Sequence, residues 1–586
     1  MLFILTVTTA AFLPCLNNGY VSNWDDSHYI LGNRLIKDLT FANLKGIFTY
    51  FTLDLYTPLV LLSYSIEYYF FKLNPYGYHL TNLILHLCNS LLVFWIIFLL
   101  CDKKKPGIAF IAALLFGIHP MRVESVAWIA ERKDMLYSFF LLGASVFYLS
   151  YLRGRRERLY YFCLLSFILS LLSKPMGMLF PLLMILFDYF TGQAYFSRKN
   201  LLKKTPFFMI ALIFMLFIVT AGVKKIIHHP PTCILNNMLV ASHAVVFYLY
   251  KLFLPVRLSC LYPYPEQSQG VLAGIFLFSP AILLALTAVV AISRKYTNKI
   301  VFGCLFFIIT ILPSLQLIPY LPSIAADRNT YIPYLGLFYI IGNAISWVYA
   351  RLENRVVKNI FSLFLVVILA SLSSLTWQRC KVWKDNETLW RDALDKYPGS
   401  SKININLAVA YSDQGQPDKA IIYYRKALEI DPYSAESHNN IGVALLNKKE
   451  YDKAMREFIK AIQIDPAIAD AYFNIAAVYG TRLDHKKVIE LCLKAIKLDP
   501  QHSNAYTYLC GAYGSLGGFQ EAIAYGEKAV AINPGSALAQ ANLSAAYYYT
   551  KQYDLASRQL EAAIKLGFNP DPDFVENLRQ HILKML

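Results

Sequence analysis

The hydropathy pattern of this chain changes character once. From residue 1 to about residue 376, long apolar runs alternate with short polar breaks. Many runs approach the roughly 20 residues that a helix needs to cross a bilayer; stretches 80–101, 271–292, 332–350 and 358–377 are examples. Beyond them the pattern becomes amphipathic and periodic. Pro432, Pro466, Pro500 and Pro534 stand 34 residues apart, preceded by Asp431, Asp465, Asp499 and Asn533, and Pro398 continues the register upstream. Together the two patterns predict an all-α chain, a polytopic membrane helical bundle followed by a water-soluble helical array.

A 34-residue period closed by a helix-stopping proline is the signature of tetratricopeptide (TPR) repeats. Small residues recur in the second helix of each repeat, as Ala420, Ala454, Val488, Ala522 and Ala556, and again as Ala427, Ala461, Ala495, Ala529 and Ala563. Small side chains there let paired helices approach closely, and stacked repeats bury a continuous core. The segmentation is then 1–378 for a multi-span membrane domain, 379–400 for a linker with a helix at 386–397, 401–570 for a solenoid of about five repeats, and 571–586 for a C-terminal capping helix.

Composition agrees with a membrane body: mean hydropathy is +0.41 and 15% of residues are aromatic. The net charge of +17 invites a nucleic-acid reading. However, much of the basic charge sits in short clusters between apolar segments: Lys103–Lys105, Arg153 with Arg155 and Arg156, Arg198 to Lys204, and Arg294 to Lys299. That is the positive-inside pattern, so no nucleic-acid partner is expected. The ten cysteines show no CxxC or metal spacing, which argues against a disulfide framework or a zinc site. His228-His229 lacks further ligands at useful spacing.

Placing those clusters in the cytoplasm turns residues 18–79, the loop 119–134 and the region near 174 outward. Residues 1–16 are apolar without a basic leader, and the alternation works best if they stay as the first membrane helix rather than leave as a signal peptide. The stretch 223–270 admits two topologies. If 239–255 crosses, later basic loops fall outside. If it only dips into the outer leaflet, the count is about eleven spans and the TPR region is extracytoplasmic. Pro230, Pro231, Pro255, Pro263 and Pro265 suit the second, since irregular backbone at membrane depth must line a cavity or be buried in protein.

Ionisable residues at membrane depth are costly and usually functional, and the outward loops carry a coherent set. Loop one begins Asn23-Trp24-Asp25-Asp26, and His79, Asn82 and His86 share one face of the following helix. Loop two runs from His119 through Glu124 to Glu131-Arg132-Lys133-Asp134. Ser173-Lys174-Pro175 comes next, then Asp188, read as structural, and finally Ala326-Asp327-Arg328-Asn329-Thr330-Tyr331.

At these residues the chain resembles a family. The double aspartate, "HP…ESVAWIAERKDML", "SKP.G" and "ADRNTYIPYLG", followed by TPRs, are similar to the transmembrane and TPR-containing O-mannosyltransferases and their bacterial relatives, within the polytopic GT-C glycosyltransferases. Lys174-Pro175 stands where the family more usually has Lys-Glu. The resemblance implies a GT-C-like membrane domain that transfers a sugar, mannose in the family, from a polyprenyl-phosphate carrier to a protein or other acceptor on the outer face. It implies Asp25 or Asp26 as the catalytic base, with Asp25 preferred because Asp26 opens a helix. It also implies His119, Glu124, Arg132, Asp134, Lys174, Asp327, Arg328 and Tyr331 at the donor and its phosphate, with His79, Asn82 and His86 completing the pocket. A base within reach of the acceptor hydroxyl assists its attack on the anomeric carbon, and cations at the leaving phosphate favour the transition state. The lipid-linked sugar phosphate is the donor substrate; no cofactor or metal ligand set is identified, and metal dependence is left open.

In the repeats, Asn406, Asn440, Asn474 and Asn542 occupy the sixth position, with Tyr508 as the exception. That position lines the concave groove of the TPR fold, and Asn offers both donor and acceptor to an extended peptide backbone. The groove is expected to hold a polypeptide acceptor or partner. A lipid-linked glycan ligase and a non-enzymatic TPR scaffold are the competing readings. The expected setting is a bacterial inner membrane with extracytoplasmic TPRs, or an endoplasmic reticulum membrane in a eukaryote.

Overall fold

The structure, a computed structural model, describes residues 1–53, 55–193, 197–222, 234–264, 274–315, 317 and 323–583. His228-His229, Pro230, Pro231 and Pro265 lie outside the described residues. Among the described residues the fold is all-α apart from one antiparallel pair of very short strands, Tyr262–Pro263 and Ser323–Ala325. The chain divides into two compact units, Met1–Pro398 and Gly399–Leu586.

In the first unit, helices open where the sequence supplies a first-turn proline: Pro58–Phe71, Pro75–Leu100 and Pro106–Ile118. Proline has no N–H to lose there and its φ already suits the helix. Among the described residues, five helices are long and apolar enough to cross a membrane: Pro75–Leu100, Ile129–Gly154, Asn200–Thr220, Phe276–Ser293 and Arg355–Val382. Pro106–Ile118 and Pro120–Ala127 form a pair bent by 60° at His119, where proline follows. Leu2–Asn17, Pro175–Phe190 and Asn298–Ser314 are shorter apolar helices.

The core of this unit is the Pro75–Leu100 helix packed between Pro106–Ile118 and Arg132–Gly154. One contact depends on glycine. A Cβ on Gly336 would lie 2.3 Å from the Gly303 carbonyl oxygen, and one on Gly303 would lie 2.5 Å from that of Gly336. The helices Asn298–Ile311 and Tyr334–Arg351 therefore touch backbone to backbone, as small residues allow at membrane helix interfaces. The helix Asn386–Lys396, N-capped by Asp385, belongs to this unit. Its Asn386 Nδ2 donates to Ser22 Oγ at 2.8 Å and its Trp390 Nε1 to Asn23 Oδ1 at 3.1 Å.

The second unit is a run of helix pairs in the predicted register, from Ser401–Asp413 with Pro417–Ile430 to Ala537–Tyr549 with Tyr553–Lys565, and then Pro572–Leu583. The small residues of the second helices are buried, Ala420, Ala454, Ala522 and Ala556 completely. The Asn ladder has a structural use. Asn474 Nδ2 donates to Asn439 Oδ1 (2.9 Å) and Asn542 Nδ2 to the Thr507 carbonyl (3.2 Å), each bond reaching 35 residues back. These bonds staple the first helices Ala469–Thr481 and Ala537–Tyr549 to the first helix of the preceding repeat.

Candidate active site

The two aspartates of loop one sit in different surroundings. Asp26 is fully buried. Its Oδ2 accepts from the Val21 N–H at 2.8 Å and its Oδ1 from the Ala130 N–H at 2.9 Å, so it ties loop one to loop two. Burial raises its carboxyl to about 7 against the pull of those two bonds. Asp25, by contrast, keeps 21% of its side chain exposed and faces Lys133 Nζ at 3.0 Å.

From Asp25 a chain of opposite charges runs inward. Lys133 also meets Glu131 Oε1 at 3.3 Å. Glu131 meets Arg328 Nε at 3.4 Å. Arg328 pairs with Glu124 through its guanidinium, and its backbone N–H donates to Glu124 Oε2 at 2.9 Å. Beside this chain, Lys174 pairs with Asp134, which also accepts from Ser125 Oγ at 3.4 Å. Partial closure by aromatic rings helps hold the cations. Trp128 lies 4.4 Å from Trp24 and 5.7 Å from Trp383, with Arg328 and Lys133 over its ring at 5.6 and 5.7 Å, within the range of cation–π attraction.

The remaining expected residues fasten the walls. Arg132 is fully buried; Glu67 (2.9 Å), the Tyr78 carbonyl (2.8 Å), Ser63 (3.3 Å) and Asn82 Oδ1 take up its guanidinium. The Asn82 amide in turn donates to the carbonyls of Val126 and Trp128. His86 bonds Tyr331 OH at 2.7 Å and the Gly117 carbonyl at 3.0 Å. His79 reaches the Gly19 carbonyl (3.3 Å) and His119 the Leu252 carbonyl (3.1 Å). Asp327 does not pair with its neighbour Arg328; it accepts from Tyr262 OH at 2.7 Å. Burial raises its carboxyl to about 6, while Arg379, Lys251 and Lys396 pull it down. Asp188 is enclosed by Tyr148 OH (2.7 Å) and Lys204, away from these contacts.

Thus Asp25, Glu124, Asp134, Lys174 and Arg328 converge, whereas Arg132, Asn82, His79, His86, His119 and Tyr331 hold the loops around them. Lys133, Glu131 and Glu67 are central, yet nothing in their spacing assigns them a role. Glu67 was the discoverable one, an acid inside the apolar run 58–71. Arg122 is a further residue that the motifs do not single out. It is fully buried, its guanidinium has no hydrogen-bond partner among the described residues, and Phe116, Tyr331, Tyr334 and Phe338 surround it at 5.0–5.7 Å. Among the described residues, no group of three or more His, Cys, Asp or Glu could hold a metal ion.

Family models match in the second unit: tetratricopeptide repeats at 401–434, 423–456 and 469–502, and a TPR repeat at 445–481. A Caenorhabditis elegans protein named protein O-mannosyl-transferase F38B6.6 is 24% identical over 444 residues, covering 71% of this chain and 60% of the relative. Human protein O-mannosyl-transferase TMTC1 is 26% identical over 435 residues, covering 63% of this chain and 47% of the relative. By sequence, the relatives of this chain are protein O-mannosyl-transferases. The chain spans about half to three fifths of the length of these O-mannosyl-transferases. Among solved structures, YrrB, described as a TPR protein with an unusual peptide-binding site, covers 33% of this chain and 97% of its own, at 23% identity and TM-score 0.26.

Proposed function

We propose that this protein is an integral-membrane glycosyltransferase. It moves a sugar, mannose by analogy with its relatives, from a polyprenyl-phosphate carrier to a hydroxyl of a protein acceptor on the extracytoplasmic face. The observation that carries this reading is Asp25, a partly exposed carboxylate at the head of a buried charge network. Glu131 and Glu124 in the same network are only 1% exposed and Asp134 5%, so Asp25 is the carboxylate an acceptor can reach.

In this mechanism Asp25 accepts the proton of the acceptor hydroxyl as the oxygen attacks the anomeric carbon. The bond from that carbon to the phosphate oxygen breaks, and the polyprenyl phosphate leaves with the bonding pair. One direct displacement inverts the anomeric centre. Lys133 holds Asp25 in place through a 3.0 Å ion pair, a pre-set geometry that lowers the barrier. Asp26 positions the loop without touching substrate. The repeats of Gly399–Leu586 bind the polypeptide acceptor or a partner, a role consistent with TPR folds.

Detergent-purified full-length protein incubated with radiolabelled polyprenyl-phosphate-mannose and secreted proteins of its host provides the test. Label should reach protein with wild type and not with Asp25→Asn, whose fold is checked by its melting curve. Transfer by Asp25→Asn at the wild-type rate, or no transfer from mannose or any other carrier-linked sugar, would reject the proposal.

A further inference from the structure

The cations that the sequence nominated for the donor phosphate are already neutralised. Lys174 meets Asp134, Arg328 meets Glu124 and Glu131, and Arg132 meets Glu67. A phosphate bound to any of them would displace a carboxylate that is itself buried. The structure holds a second group of cations, around a turn outside the recognised motifs, where charge is not balanced among the described residues.

The turn is Val256-Arg257-Leu258. Lys251 Nζ donates to the Val256 carbonyl at 2.6 Å, and Lys396 Nζ to the Leu258 carbonyl at 2.5 Å. Arg257, between them, is exposed, has φ of +52°, and finds no partner among the described residues. Lys396 shares Asp392 with Arg379, at 2.6 Å on each side. The Arg379 Nη2 is buried and unpartnered. Asp327 is the other nearby carboxylate, engaged by Tyr262 OH. Among the described residues four cations, Lys251, Arg257, Arg379 and Lys396, thus face two carboxylates, and Lys251 is 5% exposed, its ammonium meeting the Val256 carbonyl and the Phe247 and Tyr250 rings at 5.3 Å but no carboxylate oxygen. A buried cation without a counter-charge is costly, so the cluster is built to receive an anion. Two uncompensated positive charges, one buried guanidinium nitrogen and one exposed guanidinium match a phosphate, whose oxygens take several charge-assisted bonds at once.

The same helix links this cluster to Asp25. Trp390 touches Asn23 and lies 5.2 Å from Trp24. Lys396 is six residues further along the Asn386–Lys396 helix, about 9 Å of rise. A sugar bridging a phosphate at Lys396 and an acceptor at Asp25 suits that spacing. We infer that Lys251, Arg257, Arg379 and Lys396 bind the phosphate of the lipid-linked donor. This rests on the proposed reaction, but binding can be tested without it.

The probe is a polyprenyl monophosphate carrying no sugar, with retention on the full-length protein read by native mass spectrometry. Phosphatidylglycerol is the second arm. Wild type should retain the polyprenyl phosphate and prefer it over phosphatidylglycerol. Arg257→Gln, at an exposed position that does not threaten folding, should weaken retention by roughly tenfold, the worth of one charged hydrogen bond, and Lys251→Gln should add to it. Asp25→Asn and Lys174→Gln should retain it as wild type does. Equal retention of phosphatidylglycerol, loss with Lys174→Gln, or no effect of Arg257→Gln would each overturn the inference. Retention that depends on Arg257 without sugar transfer from any donor would leave the phosphate site standing and reject the reaction.

Discussion

Asp26 makes a prediction about stability that can be worked through. Its carboxyl lies outside the apolar spans, fully buried, with a folded value near 7 against about 4 in an unfolded chain. Below about pH 4 it is protonated in both states and exerts no pH dependence. Between about 4 and 7 the unfolded chain releases the proton while the folded one keeps it, so stability falls as pH rises. Above 7 both are ionised and the deficit stays constant. Raising a carboxyl's titration midpoint by one pH unit is worth about 1.4 kcal/mol, so linkage removes about 2.5 kcal/mol between pH 5 and pH 8. Asp26→Asn removes the charge but keeps one carbonyl acceptor. Its NH₂ must then face the N–H of either Val21 or Ala130, at a cost of about 1–3 kcal/mol. The variant should therefore melt well below wild type at pH 5 and converge on it, or pass it, by pH 8. The assay is thermal unfolding of detergent-solubilised full-length protein across that range. The difference between the two proteins isolates Asp26 from Asp327, whose carboxyl burial also raises. A gap that stays constant from pH 5 to pH 8 would refute the argument.

The packing and the charge network carry three more expectations. Gly336→Ala places a methyl against the Gly303 carbonyl and should cost about 1–3 kcal/mol, seen as a lower melting temperature; Gly107→Ala, with open space around its Cβ, should leave it unchanged. Lys133→Met strips the cation from Asp25 and Glu131 and should destabilise by about 3–5 kcal/mol, the usual cost of halving a buried pair, measured by the same melting curve. Asn474→Ala removes its bond to Asn439 and should lower stability against denaturant by about 1 kcal/mol; no change would mean that the ladder does not staple the repeats.

The repeat register was legible because it is local. A proline every 34 residues and an alanine at each close-packed position require no knowledge of distant contacts, and the helices fall where those residues place them. The membrane unit was legible as a class, since apolar length announces it. Its site was legible only as a set of loops. That His79, Asn82 and His86 share a helix face follows from spacing, but that Asn82 bonds Arg132 while His86 bonds Tyr331 depends on contacts up to 245 residues apart. Asp327 and Arg328 are neighbours in sequence and both were expected at the donor, yet one turns to Tyr262 and the other to Glu124. The cations of the 251–258 turn were hidden for a related reason. Nothing in the sequence says that Lys396, beyond the last apolar run, returns to the Leu258 carbonyl.

The adjacent aspartates separate two roles that sequence could not divide. A base must be reachable by the acceptor and free to take a proton on an oxygen lone pair. Asp26 meets none of these conditions well. It is sealed from solvent, its carboxyl is half protonated near neutrality, and each oxygen already accepts a backbone N–H. Asp25 meets them: it is partly exposed, and Lys133 engages only its Oδ2. Substitution should therefore divide the phenotypes. Asp25→Asn should melt close to wild type while losing sugar transfer. Asp26→Asn should lose stability first, with transfer per folded molecule largely retained at pH 8. If the folded Asp26→Asn protein were inactive at pH 8 and Asp25→Asn active, the roles argued from burial would be reversed.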